Sequence, residues 1–153
     1  MRPARLGGLV PVAAFGGMSA SDVASVAVVE TYRRVMWAAA SGDFYEIHYD
    51  VEYARSIGLP GLVVHGALKN AFLGHLLHRW VSPGGRILRY GCSYRDMDYP
   101  GQDLRCRGKV TEVSDDDGEG RVDLDIWIEN PSGEVTTPGT ATVCLPSRRG
   151  ARR

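Results

Sequence analysis

The stretch Gly66-Ala67-Leu68-Lys69-Asn70-Ala71-Phe72-Leu73-Gly74-His75-Leu76-Leu77-His78-Arg79-Trp80-Val81 decides the architecture. Leu68, Phe72, Leu76 and Trp80 recur at every fourth residue, with Leu73, Leu77 and Val81 in a second row beside them. At 3.6 residues per turn both rows fall on one wide side of a helix. The spacing predicts a helix over 66–81, about 24 Å long at 1.5 Å per residue. So broad an apolar side needs cover along most of its length, as when a sheet wraps around it. Lys69, His75 and Arg79 lie outside the rows and are expected to meet solvent. The segment contains no Asp or Glu.

Beyond Ser82-Pro83-Gly84-Gly85 the pattern changes to alternation. Arg86–Arg95, Asp103–Val113, Arg121–Glu129 and Glu134–Leu145 read as strands, with the two-residue period plainest where Val122, Leu124, Ile126 and Ile128 alternate with Asp123, Asp125, Trp127 and Glu129. Short turns at Tyr99-Pro100-Gly101, Ser114 to Gly120 and Asn130-Pro131-Ser132-Gly133 suit antiparallel hairpins. Pro138 has no N–H to give a ladder, so a bulge or an edge is expected there. Upstream, Val23–Glu30 could add a strand, and Thr31 could cap a short helix ending before Gly42. The sum is an α+β domain, one antiparallel sheet packed on one main helix.

Ahead of the long helix stands Ser41-Gly42-Asp43-Phe44-Tyr45-Glu46-Ile47-His48-Tyr49-Asp50, then Gly58-Leu59-Pro60-Gly61-Leu62-Val63-Val64-His65-Gly66. Asp43 and His48, five apart, would not share a helical face. A helix ending near Ser41 would instead let both project from an irregular loop into one space. Alone, Asp43 is an ordinary turn residue and His48 an ordinary structural histidine. Together, and followed by a glycine at a helix start, they make a site able to move a proton, activate water and stabilise an oxyanion on the Gly66 amide.

Composition sets limits. With 153 residues there is room for one domain with a substantial core, here placed at 18–147, with 1–17 read as a flexible extension and the basic 148–153 as a tail. Eighteen basic and eighteen acidic residues balance, so no general field recommends nucleic acid or membrane as partner. No apolar run approaches the roughly 20 residues of a membrane span. Cys92, Cys106 and Cys144 lack Cys-x-x-Cys spacing and are expected to be reduced thiols in the cytoplasm. His75 and His78 without a third ligand do not make a metal site, and no metal is expected.

The residues Gly42-Asp43, Ile47-His48, Asp50, Ala54, Gly58-Leu59-Pro60-Gly61 and His65-Gly66 resemble the hydratase signature of the MaoC-like hotdog-fold proteins, the (R)-specific enoyl-CoA hydratases. Tyr99-Pro100-Gly101-Gln102-Asp103-Leu104 and Gly108-Lys109-Val110 resemble that family's sheet, so the likeness runs over about 23–146. It implies a hotdog fold, usually paired side by side into a homodimer or a heterodimer with another hotdog subunit. It also implies reversible hydration of a trans-2-enoyl thioester on coenzyme A or an acyl carrier protein, as in fatty acid metabolism. Asp43 and His48 would then be the catalytic pair and Gly66 the oxyanion donor, with Tyr45, His65 and Asn70 contacting substrate. No cofactor is implied beyond the thioester itself.

Two positions depart from that pattern. Tyr45-Glu46 stands where the family commonly has Asn-Pro, and resembles the subgroup acting on bulky acyl-CoAs. Gly74 stands where a serine often orients the acid, and Asn70, one turn earlier, could take that part. For the phosphates of coenzyme A the chain offers Arg86, Arg89, Arg95, Arg105, Arg107 and Lys109. A hotdog thioesterase and a non-catalytic acyl-thioester-binding subunit remain alternatives. The first often draws a carboxylate from the long helix, and the second would be expected to lack Asp43 or His48.

Overall fold

The structure, a computed structural model, describes residues 22–28, 31–116 and 119–146. The expected extension at 1–17 and tail at 148–153 lie outside them. The alternating stretches form β1 (Asp22–Val28), β2 (Arg86–Cys92), β3 (Asp103–Asp116), β4 (Glu119–Glu129) and β5 (Val135–Pro146). They make one five-stranded sheet in the order β1-β3-β4-β5-β2, antiparallel at every pairing. Three helices, α1 (Thr31–Ser41), α2 (Val51–Ser56) and α3 (Gly66–Val81), lie between β1 and β2 in the chain.

The α3 segment is the helix its spacing predicts, and its apolar rows build the core. Leu68, Leu73, Leu76, Leu77, Trp80 and Val81 pack against Leu104, Val122, Leu124, Ile126, Ile128 and Val143 of the sheet. In β4 every second residue from Gly120 to Ile128 is buried, as a sheet with one covered face requires. The register slips at Val110/Glu112, Ile87/Arg89 and Ile128/Glu129, and such bulges bend strands enough for a sheet to curve round a helix. Among the described residues no helix is long and apolar enough to cross a membrane.

Four expectations need correction. Lys69 does not meet solvent: it is 2% exposed and its Nζ lies 2.8 Å from Asp98 Oδ2. The charge is tolerated because a buried carboxylate compensates it. Strand β2 ends at Cys92, not Arg95, because regular pairing with β5 is lost beyond it, where Arg95 N and Asp96 N both donate to the one carbonyl Thr136 O. Pro138 lies in an inner strand and pairs with Trp127, with no bulge at its own position. Its carbonyl accepts from Ser93 N, so its missing donor faces the side where β2 has just ended. Finally, the region after Asp43 is not wholly irregular. Asp50 accepts from Tyr53 N at 2.9 Å and starts α2, an N-cap whose residue type was visible in the sequence.

Gly74 acquires a physical reason. A Cβ there would lie 2.6 Å from the Tyr90 hydroxyl oxygen and 3.1 Å from Tyr90 Cζ, so a phenol from the sheet fills the space a helix side chain would take. Gly74→Ser is expected to cost about 1–3 kcal/mol of unfolding free energy through overpacking, measured by urea denaturation. The cost should shrink in a Tyr90→Phe background, and equal costs in both backgrounds would show that the hydroxyl does not fill the gap.

Candidate active site

Helix α1 stops at Ser41, where Gly42 takes φ +77° and gives its N–H to Ala38 O at 2.9 Å. That left-handed residue is an ordinary glycine helix stop. It turns the chain so that Asp43 leaves the helix axis with its N–H 3.3 Å from Ser41 Oγ. Residues Glu46–His48 then form one 3-10 turn. Ile47 O accepts from Val63 N at 3.0 Å, and His48 Nδ1 lies 2.8 Å from Val63 O. The segment leading into α3 therefore grips the turn by backbone and side chain together.

The contact with Val63 O has a chemical consequence. A carbonyl only accepts, so Nδ1 carries the proton and, in the neutral ring, Nε2 presents its lone pair. That lone pair faces Asp43 Oδ2 at 3.8 Å. The separation is too long for a direct hydrogen bond, and a neutral imidazole nitrogen and a carboxylate oxygen are both acceptors. One water donating a proton to each would satisfy both. His48 is nearly enclosed and Asp43 is half-exposed, with side-chain exposures of 8% and 45%, so approach is from the Asp43 side.

His65 completes the cluster. Its ring stacks on His48 with centroids 3.7 Å apart and planes 21° apart, and Nε2 donates to Asp43 O at 3.3 Å. It is wholly buried, and its Nδ1 has no hydrogen-bond partner among the described residues. Burial first, and the neighbouring His48 ring second, pull the His65 imidazole below its usual range, against a smaller upward pull from Asp43. One donor atom from each of Asp43, His48 and His65 lies within 4.8 Å of the others. Stacked rings are nevertheless a poor metal clamp. Each lone pair lies in its own ring plane, and near-parallel planes do not meet within the about 2.0–2.1 Å of a metal–imidazole bond.

The other residues read from the sequence take varied places. Tyr45 sits at the mouth, its ring edge-on to His48 and Tyr53 at 6.3 and 6.1 Å between centroids. Gly66 is the first residue of α3, so its N–H has no partner within the helix. Asn70 Oδ1 receives the Cys92 thiol at 3.4 Å, which ties it to β2. Of the cationic candidates, Arg86 is paired with Glu119 and Arg107 with Glu129. Arg89 and Arg95 instead line an open cavity of about 670 Å³ with Tyr90, Cys92, Ser93 and Thr140. Sequence reasoning missed Tyr94, whose ring lies on Gly66, 3.0 Å from where a Cβ would stand. Nothing in the spacing marks that contact, since Tyr94 lies beyond the end of β2.

With the geometry in view, comparison with known proteins places the chain. Residues 13–126 match the MaoC like domain family. The chain belongs to the MaoC-like dehydratase domain family. Among solved structures it is similar to the (R)-hydratase from A. caviae involved in PHA biosynthesis, with TM-score 0.76 and 22% identity over 86% of this chain and 99% of that one. The R-hydratase PhaJ1 from Pseudomonas aeruginosa matches with TM-score 0.75 and 21% identity over 91% and 87%. The ChsH1-ChsH2 complex from Mycobacterium tuberculosis matches with TM-score 0.71 and 19% identity over 82% and 95%. These likenesses show the hotdog fold. A fatty acid synthase beta subunit, TOXC of Cochliobolus carbonum, is 37% identical over 73 residues, which are 46% of this chain and 4% of that protein.

The buried His65 predicts a pH dependence. Because its imidazole resists protonation in the fold, the unfolded chain binds a proton there at pH values where the folded one does not. This stability is complete above the unfolded value near 6.5 and declines as pH falls through it, by at most about 1.4 kcal/mol per pH unit for one group. Glu119, held at about 2 by its bond from Arg86, titrates far below that window. Thermal unfolding should therefore move to lower temperature between about pH 7 and 5.5, and His65→Gln should flatten the trend. An unchanged slope in that variant would assign the titration elsewhere.

Proposed function

We propose that the chain catalyses the reversible addition of water to a trans-2-enoyl thioester, giving the (R)-3-hydroxyacyl thioester. The observation that carries this reading is the facing of two acceptors, His48 Nε2 and Asp43 Oδ2, across 3.8 Å, with the imidazole tautomer fixed by Val63 O. A water held there has both its protons engaged and its oxygen free to attack. In hydration, the water oxygen bonds to Cβ as one proton passes to the pair, and the Cα=Cβ electrons shift towards the thioester carbonyl. The enolate oxygen would lie on the Gly66 N–H at the positive end of α3. Return of a proton to Cα completes the addition, and dehydration is the reverse.

Several features support the substrate class. The family membership and the (R)-hydratase neighbours agree with hydro-lyase chemistry, and the TOXC match agrees with an acyl thioester. Exposed Phe44, Tyr45, Tyr49 and Ile57 give the rim an apolar character suited to an acyl chain. Arg89 and Arg95, which line an open cavity beside β2, are the cations we assign to the phosphates of coenzyme A or of a carrier protein's phosphopantetheine. Strand β2 is an edge of the sheet and exposes Leu88, so we place a second hotdog subunit along it, of the same or a different chain. The ChsH1-ChsH2 complex, and the similar HadBC (3R-hydroxyacyl-ACP dehydratase) complex of Mycobacterium tuberculosis, are named as complexes, which agrees with a partner subunit.

A spectrophotometric assay of the enoyl band with crotonyl-CoA and longer enoyl-CoAs, run beside an assay of free thiol, tests the reaction class. Loss of the enoyl band without thiol release is expected, and thiol release would identify a thioesterase instead. Asp43→Asn and His48→Ala should each lower turnover by about 10²–10⁴-fold while leaving the fold intact. Full activity in either folded variant would remove that residue from the chemistry.

A further inference from the structure

We propose that Lys69 and Asp98 are positioning residues that hold segment 93–98, and Tyr94 with it, against Gly66. The proposal rests on the reading of Gly66 as the oxyanion donor. Its starting point is a costly arrangement, a lysine 2% exposed paired with an aspartate fully buried. Ion pairs withdrawn from water gain little stability over well-packed apolar side chains, so a role in fixing geometry is the better account of such a pair.

The contacts say what is fixed. Lys69, one turn into α3 from Gly66, donates from Nζ to Asp98 Oδ2 at 2.8 Å and to Asp96 O at 2.9 Å. Thr136 of β5 donates from Oγ1 to the same Asp98 oxygen at 2.7 Å. Asp98 O accepts from Val64 N at 2.8 Å, two residues before Gly66. Arg95 N and Asp96 N donate to Thr136 O at 2.9 and 3.2 Å. Segment 93–98 is thus bonded to α3, to β5 and to the strand-like residues that deliver His65 and Gly66. Tyr94, carried by this segment, presses its ring on Gly66 from one side, with Lys69 Nζ 6.0 Å from the ring centre. Tyr94 is 53% exposed, so its ring stands between Gly66 and solvent as a wall beside the start of α3.

Asp98 Oδ1 has no hydrogen-bond partner among the described residues, so the buried carboxylate depends on Lys69 and Thr136 alone for side-chain compensation. Neutralising only one member would strand the other's charge and threaten folding. The informative variant is therefore K69M/D98N, which keeps the shapes and removes both charges.

In the full chain, hydrogen–deuterium exchange of peptides covering 63–66 and 93–98 should quicken in K69M/D98N while cooperative thermal unfolding is retained. On the best enoyl-CoA substrate, kcat should fall on the order of 10–100-fold with KM moving less, as expected for misplacement of a reacting group. Unchanged exchange in the folded double variant would overturn the proposal, and so would faster exchange with wild-type kcat. Should the double variant not fold, Tyr94→Ala, at a half-exposed position, carries the test. A fall in kcat with normal unfolding would support the proposal, and wild-type kinetics would overturn it. If the wild-type chain hydrates no enoyl thioester, the reading of the reaction fails by itself. Exchange then still decides whether the pair holds 93–98 to Gly66.

Discussion

The start of α3 is held from three directions, and everything chemical in the fold is referred to it. The helix packs Leu73, Leu76 and Leu77 into the concave sheet, which fixes its axis. Val63 and Val64, just before it, are bonded to Ile47 and His48 on one side and to Asp98 on the other. His65 and Gly66 therefore enter the site with no freedom to shift independently of the core. A helix N-terminus offers unpaired N–H groups in any protein. Here one of them belongs to Gly66, whose neighbour His65 stacks on His48 and bonds to the backbone of Asp43.

Much of this was legible because the sequence is locally consistent with its fold. The two rows of large apolar residues in 66–81 give a helix with the same bounds in the structure, and the alternation of Val122 to Ile128 gives β4 with alternate residues buried. Gly42 was readable as a helix stop because few residues other than glycine accept φ near +77°. What escaped was pairing at long range. Lys69 looks like a solvent residue on a helical wheel, since nothing in residues 66–81 announces that Asp98, twenty-nine positions away, will be buried beside it. Tyr90 and Gly74 likewise form a matched pair only once β2 is laid against α3.

The site shows the same division. The approach of Asp43 and His48 was readable from their spacing after a helix stop, and the structure brings them to 3.8 Å. The function of His65 was less legible. Its sequence context suggested contact with substrate, whereas the structure buries it completely and stacks it on His48. An imidazole in that position is held neutral by burial. It spaces His48 from the core while its Nε2 steadies the backbone of Asp43.

Under the proposed reaction, the unequal surroundings of Asp43 and His48 have a physical rationale. His48 must present one nitrogen and not the other, so its ring is enclosed and its tautomer fixed by a main-chain carbonyl that cannot donate. Asp43 has two equivalent oxygens and needs no such fixing. Its side chain is left half-exposed and, among the described residues, accepts the long 3.4 Å contact from Tyr45 N at Oδ1 besides its approach to His48. If the chain adds water to an enoyl thioester as proposed, a carboxylate with few partners could follow the water towards the carbon, while an enclosed imidazole would keep the direction of proton transfer constant. For the proposed reaction, the less enclosed partner is thus the residue that follows Gly42, where the chain has just left α1 and not yet entered the 3-10 turn that carries His48.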